Sequence, residues 1–135
     1  VSCLIKNAND ILILKRSQLV GSFQGYWSCV SGYRETTEEP LATAFREVAE
    51  EIKIEPHLIH PANSAGPFYT EMEEIVFESH WFLFETEVKE ISLDWEHEDS
   101  AWIKPVEILQ YKTVPWLPKL ASTLLGKSTR EGTNQ

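Results

Sequence analysis

The stretch from Gly32 to Ile54, GYRETTEEPLATAFREVAEEIKI, decides how the rest of the chain is interpreted. On a helix at about 100° per residue, Glu47, Glu50 and Glu51 fall on one face, beside an apolar stripe. Carboxylates spaced i, i+3 and i+4 repel one another by a few tenths of a kcal/mol per pair, roughly, so a positive partner is expected among them. A hard divalent cation fits best, because such ions prefer oxygen ligands.

A solvated acidic helix face is the ordinary alternative for a glutamate-rich segment. Such a face is expected to interleave Lys with Glu, because oppositely charged residues four apart support a helix. Between Glu38 and Ile52 there is no Lys, and Arg46 is the only basic residue. The pattern therefore favours a built site over a merely solvated surface.

The same stretch carries signals for where the helix begins and ends. Thr36 and Glu39 match a capping box, and Pro40 falls in the first turn, where its missing N–H does little harm. These signals predict a helix over about Glu38 to Ile52. Lys53 stands where a glycine would be expected, so we expect it either to be strained into the left-handed conformation, at a cost on the order of 1 kcal/mol, or to leave the helix differently.

Around this helix the chain alternates β-prone runs with turn-rich segments. The predicted strands are Cys3 to Ile5, Ile11 to Leu14, Trp27 to Val30, His57 to His60, Phe68 to Tyr69, Ile75 to Phe84 and Ala101 to Ile103. Loops are predicted over Ser17 to Gly25 and Asn63 to Pro67, and short helices over Pro105 to Gln110 and Trp116 to Leu125. Strands around a central helix, with further helices at the end, indicate an α/β fold in which a mixed sheet is covered on both faces.

Length and charge limit the classes of protein to consider. A chain of 135 residues suits a single domain, which we place at 1–125 with a loose tail over 126–135. Its net charge of −9 argues against broad contact with a nucleic-acid backbone. No apolar run reaches the roughly 18 residues that a membrane span requires, so no membrane association is expected.

The two cysteines bear on the cellular compartment. Cys3 and Cys29 lie far apart in apolar stretches, which favours two buried reduced thiols over a disulfide. We therefore expect a cytoplasmic protein. The sequence leaves its oligomeric state open, a homodimer included.

The glutamates belong to a longer pattern, which is Gly32, five residues, Glu38, seven residues, then Arg46-Glu47-Val48-x-Glu50-Glu51-x-Lys53-Ile54. This pattern resembles the Nudix box, G-x5-E-x7-R-E-U-x-E-E-x-G-U, in which U is aliphatic. Every defined position matches except the final glycine, which is Lys53 here.

The resemblance implies a fold and a chemistry. The fold would be the Nudix fold, an α/β/α sandwich with a mixed β-sheet. The activity would be hydrolysis of a diphosphate bond in a nucleoside diphosphate linked to another moiety, with Mg²⁺ as cofactor and Mn²⁺ as the alternative ion. The partner would be a small nucleotide-like substrate.

The resemblance also implies roles for individual residues. Gly32, through its carbonyl, would bind the metal together with Glu47, Glu50 and Glu51, and Glu47 is also a candidate base. Glu38 and Arg46 would support these carboxylates. The chemistry of the residues agrees independently, because an all-oxygen ligand set favours Mg²⁺, Mn²⁺ or Ca²⁺ and no Cys/His cluster competes for the role.

A second signal lies downstream, where Glu96 and His97 precede Trp102 in the spacing E-H-x-x-x-x-W. It resembles a loop of Nudix enzymes that act on dinucleoside polyphosphates or on nucleotide and pterin triphosphates. The resemblance implies that Glu96 is a catalytic residue, either a metal ligand or a base. A polar loop capping a strand is the alternative, and the histidines receive no role.

Contacts to the substrate are less specified. Trp27, Tyr33 and Arg34 are candidates because they flank the pattern, although aromatic residues are more often core and arginines often solvate a surface. A non-catalytic Nudix-fold domain that binds nucleotide or protein is the main rival function. An isomerase of prenyl diphosphates is a weaker rival, because it would need a reactive cysteine.

Overall fold

The computed structural model describes the backbone of residues 1–133 and the side chains of residues 1–126. Its strands are β1 (Ser2–Asn7), β2 (Asp10–Arg16), β3 (Trp27–Ser28), β4 (Val30–Ser31), β5 (Ile59–Met72), β6 (Ile75–Thr86) and β7 (His97–Ile103). Its α-helices are α1 (Pro40–Ile52) and α2 (Leu117–Thr133), and short 3₁₀ helices span Pro56–Leu58 and Pro105–Gln110.

These seven strands form one mixed sheet. Its main order is β3-β2-β1-β6-β5, with β4 beside β1 and β7 beside β2. Strands β1 and β6 run parallel, whereas the other paired strands are antiparallel. Helix α1 packs on one face through Val48 and Ile52, and α2 packs on the other through Leu120 and Leu124. The predicted α/β/α sandwich is confirmed.

Strand β2 shows why the core has two halves. Ile11 and Ile13 join the core beneath α2, whereas Leu12 and Leu14 join the core beneath α1. A strand alternates its side chains between the two faces of a sheet, so an unbroken ILIL run requires both faces to be covered. Each of these buried side chains contributes about 1.5–3 kcal/mol of hydrophobic stabilisation.

Helix α1 begins differently from the sequence prediction. Glu39 is the N-cap residue and makes no capping hydrogen bond with its side chain, so the predicted capping box of Thr36 with Glu39 is wrong. Instead, Oε1 of Glu38 accepts hydrogen bonds from the Thr43 hydroxyl at 2.8 Å and from the Glu35 amide at 3.0 Å. The helix therefore starts at Pro40, and Glu38 fixes the turn that leads into it.

The end of α1 follows the first of the two expected alternatives. Lys53 has φ 60° and ψ 38°, which is the left-handed conformation, and its amide donates to the Ala49 carbonyl at 3.2 Å. Its Nζ also donates to the Glu50 carbonyl at 2.6 Å. The chain thus keeps the backbone geometry that a glycine would adopt without strain.

We predict that Lys53→Gly stabilises the protein by about 1 kcal/mol, because glycine adopts this conformation without the Cβ clash. Lys53→Ala removes the same side-chain hydrogen bond but keeps the strain, so it should not stabilise. Urea unfolding of the three proteins measures the difference. A glycine variant no more stable than the alanine variant would show that this residue stores no strain.

Strand β5 is longer than predicted. Pro56–Leu58 forms a 3₁₀ helix rather than part of a strand, and the predicted loop from Asn63 to Pro67 lies inside β5. This strand is at the edge of the sheet, and its pairing with β6 shifts register between Pro61 and Asn63 and again between Ala65 and Phe68. Edge strands and bulges tolerate proline, so the turn-like composition did not break the strand.

The C-terminal segment contains both of the predicted helices. Pro105–Gln110 is a helix with the predicted bounds, of the 3₁₀ type, and α2 extends beyond its predicted end at Leu125 to Thr133, into the expected tail. The last two residues of that expected tail, 134–135, lie outside the described residues. Within the described residues, no helix combines the length and the apolar character needed to cross a membrane.

Candidate active site

Arg46 occupies the centre of the carboxylate group on α1. Its Nε donates to Oε2 of Glu38 at 2.7 Å and its Nη2 to Oε1 of the same carboxylate at 2.9 Å, which is a bidentate pair. Its Nη1 lies 3.0 Å from Oε2 of Glu47 and 3.4 Å from Oε1 of Glu50. The guanidinium lowers the pKa of Glu38 to about 2. Three carboxylates are therefore oriented by one rigid cation.

Gly32 is required by close packing, because its φ lies outside the positive range. A Cβ at this position would overlap the carboxylate carbon and oxygens of Glu47. The Gly32 carbonyl accepts a hydrogen bond of 2.7 Å from the Val1 nitrogen, which continues the β1–β4 pairing. A carbonyl oxygen has two lone pairs, so this one can accept one further contact.

Glu51 is the most deeply buried of the glutamates on α1. It is 1% exposed, and its Oε2 accepts no hydrogen bond from the described residues. Burial raises its pKa to about 10, and the neighbouring carboxylates of Glu47, Glu96 and Asp94 add to the rise. Arg46 does not reach this side of the cluster, since its ion pairs go to other carboxylates. A buried carboxylate without a positive partner is costly unless a cation joins it.

The loop before β7 brings further acidic groups to Glu51. The Asp94 amide donates to the Glu51 carbonyl at 3.2 Å, so the loop docks on the end of α1. Oδ1 of Asp94 accepts from the Glu96 amide at 3.1 Å and lies 3.3 Å from Nδ1 of His97. Nε2 of His97 lies 3.8 Å from Oε1 of Glu51. The pKa of Glu96 is raised by burial, then by the charges of Asp94 and Glu47.

The residues present fit a hard divalent cation. Glu51 offers a buried, unpaired carboxylate oxygen, and the carboxylates of Glu47 and Glu96 lie close enough to raise its pKa. In the described residues, no three His, Cys, Asp or Glu side chains are grouped closely enough to hold an ion as they stand. Arg46 draws Glu47 and Glu50 towards itself, and Glu50 is exposed enough to turn.

The sequence of this chain matches the family model described as the NUDIX domain over residues 1–124. The chain belongs to the Nudix family. It is therefore a pyrophosphohydrolase of the Nudix type, and Nudix hydrolases generally use divalent metal ions.

Relatives of known sequence or structure support this assignment. The dihydroneopterin triphosphate diphosphatase of Haemophilus influenzae is 30% identical over 115 residues, covering 73% of this chain and 67% of that protein. The MutT protein of Methanosarcina mazei is 25% identical with a TM-score of 0.71, over 98% of this chain and 92% of its own. The Ap4A hydrolase of C. elegans has the same TM-score at 16% identity, over 97% and 94%, which shows a shared fold.

The Nudix box, Gly32 to Ile54, forms the loop after β4, helix α1 and the two residues that follow it. The structure brings Gly32, Glu47, Glu51 and Glu96 together at one end of the sheet, with Glu50 at the rim. Two surface concavities, of about 480 and 530 Å³, contain none of these residues. They lie near the β1–β2 turn, at the end of β1 opposite to Gly32.

The three candidate substrate contacts are not gathered at the glutamates. Tyr33 is 82% exposed, and it is its carbonyl that meets Arg46, at 3.1 Å. Arg34 lies 3.7 Å from Glu78 of β6. Trp27 packs on the core beneath α2, with its ring 5.3 Å from that of Tyr111. Their contact with substrate stays a prediction.

Sequence analysis missed two residues of the site, Asp94 and His97. His97 is 7% exposed and lies between Asp94 and Glu51. Burial lowers its pKa, which favours a neutral imidazole that accepts at one nitrogen and donates at the other. The available signal was its position directly after Glu96.

The buried cysteines confirm one further prediction. Cys3 and Cys29 are both free and buried, and burial raises the pKa of each thiol, that of Cys29 to about 12. Reactive cysteines need a lowered pKa and access to solvent. These thiols therefore offer no nucleophile for the isomerase chemistry considered as a rival.

Proposed function

We propose that this Nudix enzyme uses Mg²⁺, with Mn²⁺ as the alternative ion, to hydrolyse a diphosphate bond in a nucleoside diphosphate linked to another moiety. The observation that carries the proposal is the buried, unpaired Oε2 of Glu51 beside Glu47 and Glu96. Arg46 is committed to other carboxylates, so Glu51 would ionise near neutral pH only when an added cation balances its charge.

Within this proposal, Glu50 and Glu51 are metal ligands, together with the carbonyl of Gly32. When bound, the divalent ion would neutralise diphosphate charge and acidify a water for in-line attack on phosphorus. Glu38 and Arg46 hold the Glu47 carboxylate against Gly32, which fixes its position. That placement matters because small displacements of reacting groups lower the reaction rate strongly.

Glu47 and Glu96 are the two candidates for the general base. Each carboxylate would take the proton of the attacking water at an oxygen. Burial raises the pKa of Glu96, and a base is more effective when its pKa approaches the working pH. Asp94 and His97 act as positioning groups, because they hold Glu96 and Glu51 through the loop that docks on α1.

The names of the relatives support a choice of substrates. The Haemophilus influenzae relative is named for a pterin triphosphate and the C. elegans structure for Ap4A. We therefore propose nucleoside triphosphates, dinucleoside polyphosphates and dihydroneopterin triphosphate as the first compounds to test. A cytoplasmic location is part of this proposal, supported by the two free cysteines.

The experiment is hydrolysis by the purified protein of that panel in ¹⁸O-labelled water, with Mg²⁺ and with EDTA. We expect turnover of at least one compound with Mg²⁺, none with EDTA, and the label in a phosphate product. Absence of hydrolysis across the panel would favour the non-catalytic rival. Activity that persists in EDTA would contradict the metal requirement.

A further inference from the structure

An aromatic pair on β5 and β6 lies half open at the edge of the sheet. The rings of Phe68 and Trp81 have centroids 4.5 Å apart and an interplanar angle of 47°. Phe68 is 38% exposed, and Trp81 packs only partly into the core beneath α2. Large aromatic residues are normally covered in a folded core, so this aromatic platform, defined as Phe68 and Trp81, presents a π-surface to solvent.

The strand register places this platform close to the Nudix box. Trp81 pairs with Ser2 of β1, and Ser2 pairs with Ser31 of β4, the residue before Gly32. Neighbouring strands are about 4.8 Å apart, so Trp81 lies about 10 Å across the sheet from Ser31. The platform is therefore two strands away from the residue that precedes the Nudix box.

The platform and the glutamates lie on different faces of the same end of the sheet. Val30 and Cys3 point into the core beneath α1, so their neighbours Ser31 and Ser2 point to the face that carries Trp81. Gly32 follows Ser31 at the end of β4, between the two faces of the sheet, and Glu47 approaches it from the α1 side. A ligand with its phosphates at the glutamates could therefore turn over Gly32 and lay its base on the platform.

The surroundings of the platform suit a base rather than a phosphate. Ser79 pairs with Phe68 across the strands, and Thr70 shares its face two residues on, so these immediate neighbours are uncharged. Glu78 and His80 alternate with Ser79 and Trp81 along β6, so they lie on the opposite face, where Arg34 lies near Glu78.

The tryptophan indole N–H groups differ in whether they donate a hydrogen bond. Trp102, on the other face of the sheet, donates its Nε1–H to the Lys89 carbonyl at 3.0 Å. Within the described residues, neither Trp81 nor Trp27 donates its indole N–H to any acceptor. A partly buried indole usually finds a partner, so these donors are available to a ligand.

We propose that the platform of Phe68 and Trp81 binds the base of the nucleotide substrate by stacking, with the phosphates lying at the Nudix box. This inference rests on the proposed function and names the part of the substrate that the box does not touch. Stacking is tolerant of base identity because every base has a π-face, and a larger face stacks more strongly. The enzyme therefore accepts several bases and binds purine nucleotides more tightly than pyrimidine nucleotides.

The test compares two stable probes that differ only in the nucleoside. Calorimetry with Mg²⁺ measures binding of α,β-methylene-ADP and of base-free methylenediphosphonate to the wild-type protein, Trp81→Leu and Phe68→Leu. We expect each variant to weaken binding of the nucleotide about tenfold and to leave the diphosphonate unchanged. Trp102→Leu is the matched control, and it should change neither affinity. Circular dichroism confirms that each variant is folded.

Each other outcome overturns the inference. Unchanged nucleotide binding in both folded platform variants shows that the base lies elsewhere, and an equal loss for both probes shows general damage to the site. Wild-type protein that hydrolyses nucleotides with Mg²⁺ but ignores these substitutions contradicts only the platform. Wild-type protein that neither binds nor hydrolyses nucleotides contradicts the proposed function, and the platform with it.

Discussion

Replacing Glu51 with Gln is expected to lower Mg²⁺-dependent turnover at least about a hundredfold, because it removes a charged ligand from the centre of the site. Glutamine has nearly the same shape, so the packing around α1 should survive. Glu51 is almost fully buried, and its Oε2 is unpaired among the described residues. Steady-state kinetics at saturating Mg²⁺ measures the loss, and Glu50→Gln should show a loss of the same order.

When metal is absent, Glu51→Gln is expected to stabilise the folded protein, although it lowers turnover. Burial raises the pKa of Glu51 from 4.5 to about 10 in the folded protein, so folding favours its protonated form. The folded state then binds more protons than the unfolded state between these two values, and the carboxyl group destabilises the protein increasingly as pH rises. In EDTA, the free energy of unfolding of Glu51→Gln should therefore increase relative to that of the wild-type protein as the pH rises from about 5 to about 9.

Glu55→Gln is the matched control for both effects. Glu55 is exposed just beyond α1 and makes no capping hydrogen bond with its side chain. This variant should keep wild-type turnover and wild-type pH dependence of stability. The role assigned to Glu51 would be wrong if Glu51→Gln kept full turnover. It would also be wrong if, in EDTA, Glu51→Gln lost stability relative to the wild-type protein as the pH rose.

Gly32→Ala is expected to lower turnover about a hundredfold with little effect on folding, because a displacement of a reacting group by about 1 Å has that cost. The added methyl group would occupy the position of the Glu47 carboxylate. The atoms that must move are at the end of a flexible side chain, so the free energy of unfolding should change by less than about 1 kcal/mol. Kinetics and urea unfolding on the same preparation separate the two effects.

Gly21→Ala is the control for Gly32→Ala. A Cβ at Gly21 would meet no atom within 4 Å, and this glycine lies in the loop between β2 and β3. We expect its activity and stability to match the wild-type protein. Full activity in Gly32→Ala would mean that the position of Glu47 against β4 is not needed for catalysis.

The Nudix box was predictable from sequence because its geometry is local. Glu47, Glu50 and Glu51 share one face of a single helix, and Glu38 reaches Arg46 from the turn before that helix. The left-handed conformation of Lys53 was one of two expected alternatives for the same reason. Local spacing thus determines most of the carboxylate cluster.

The missed parts of the site depend on contacts that are distant in sequence. Asp94 and His97 reach Glu51 only because the loop before β7 bonds to the end of α1, and because β7 pairs with β2. The platform of Phe68 and Trp81 likewise depends on the register of β5 with β6, including a bulge inside a segment that the sequence predicted as loop. No local pattern encodes these pairings.

Binding of Mn²⁺ tests most directly whether the glutamates form a metal site that drives hydrolysis. Electron paramagnetic resonance measures free Mn²⁺ during titration of the wild-type protein and of Glu51→Gln, and turnover is measured in the same samples. We expect wild-type turnover to rise with bound Mn²⁺ and Glu51→Gln to lose both. Equal Mn²⁺ binding by the two proteins, or wild-type turnover that does not follow occupancy, would contradict the metal site.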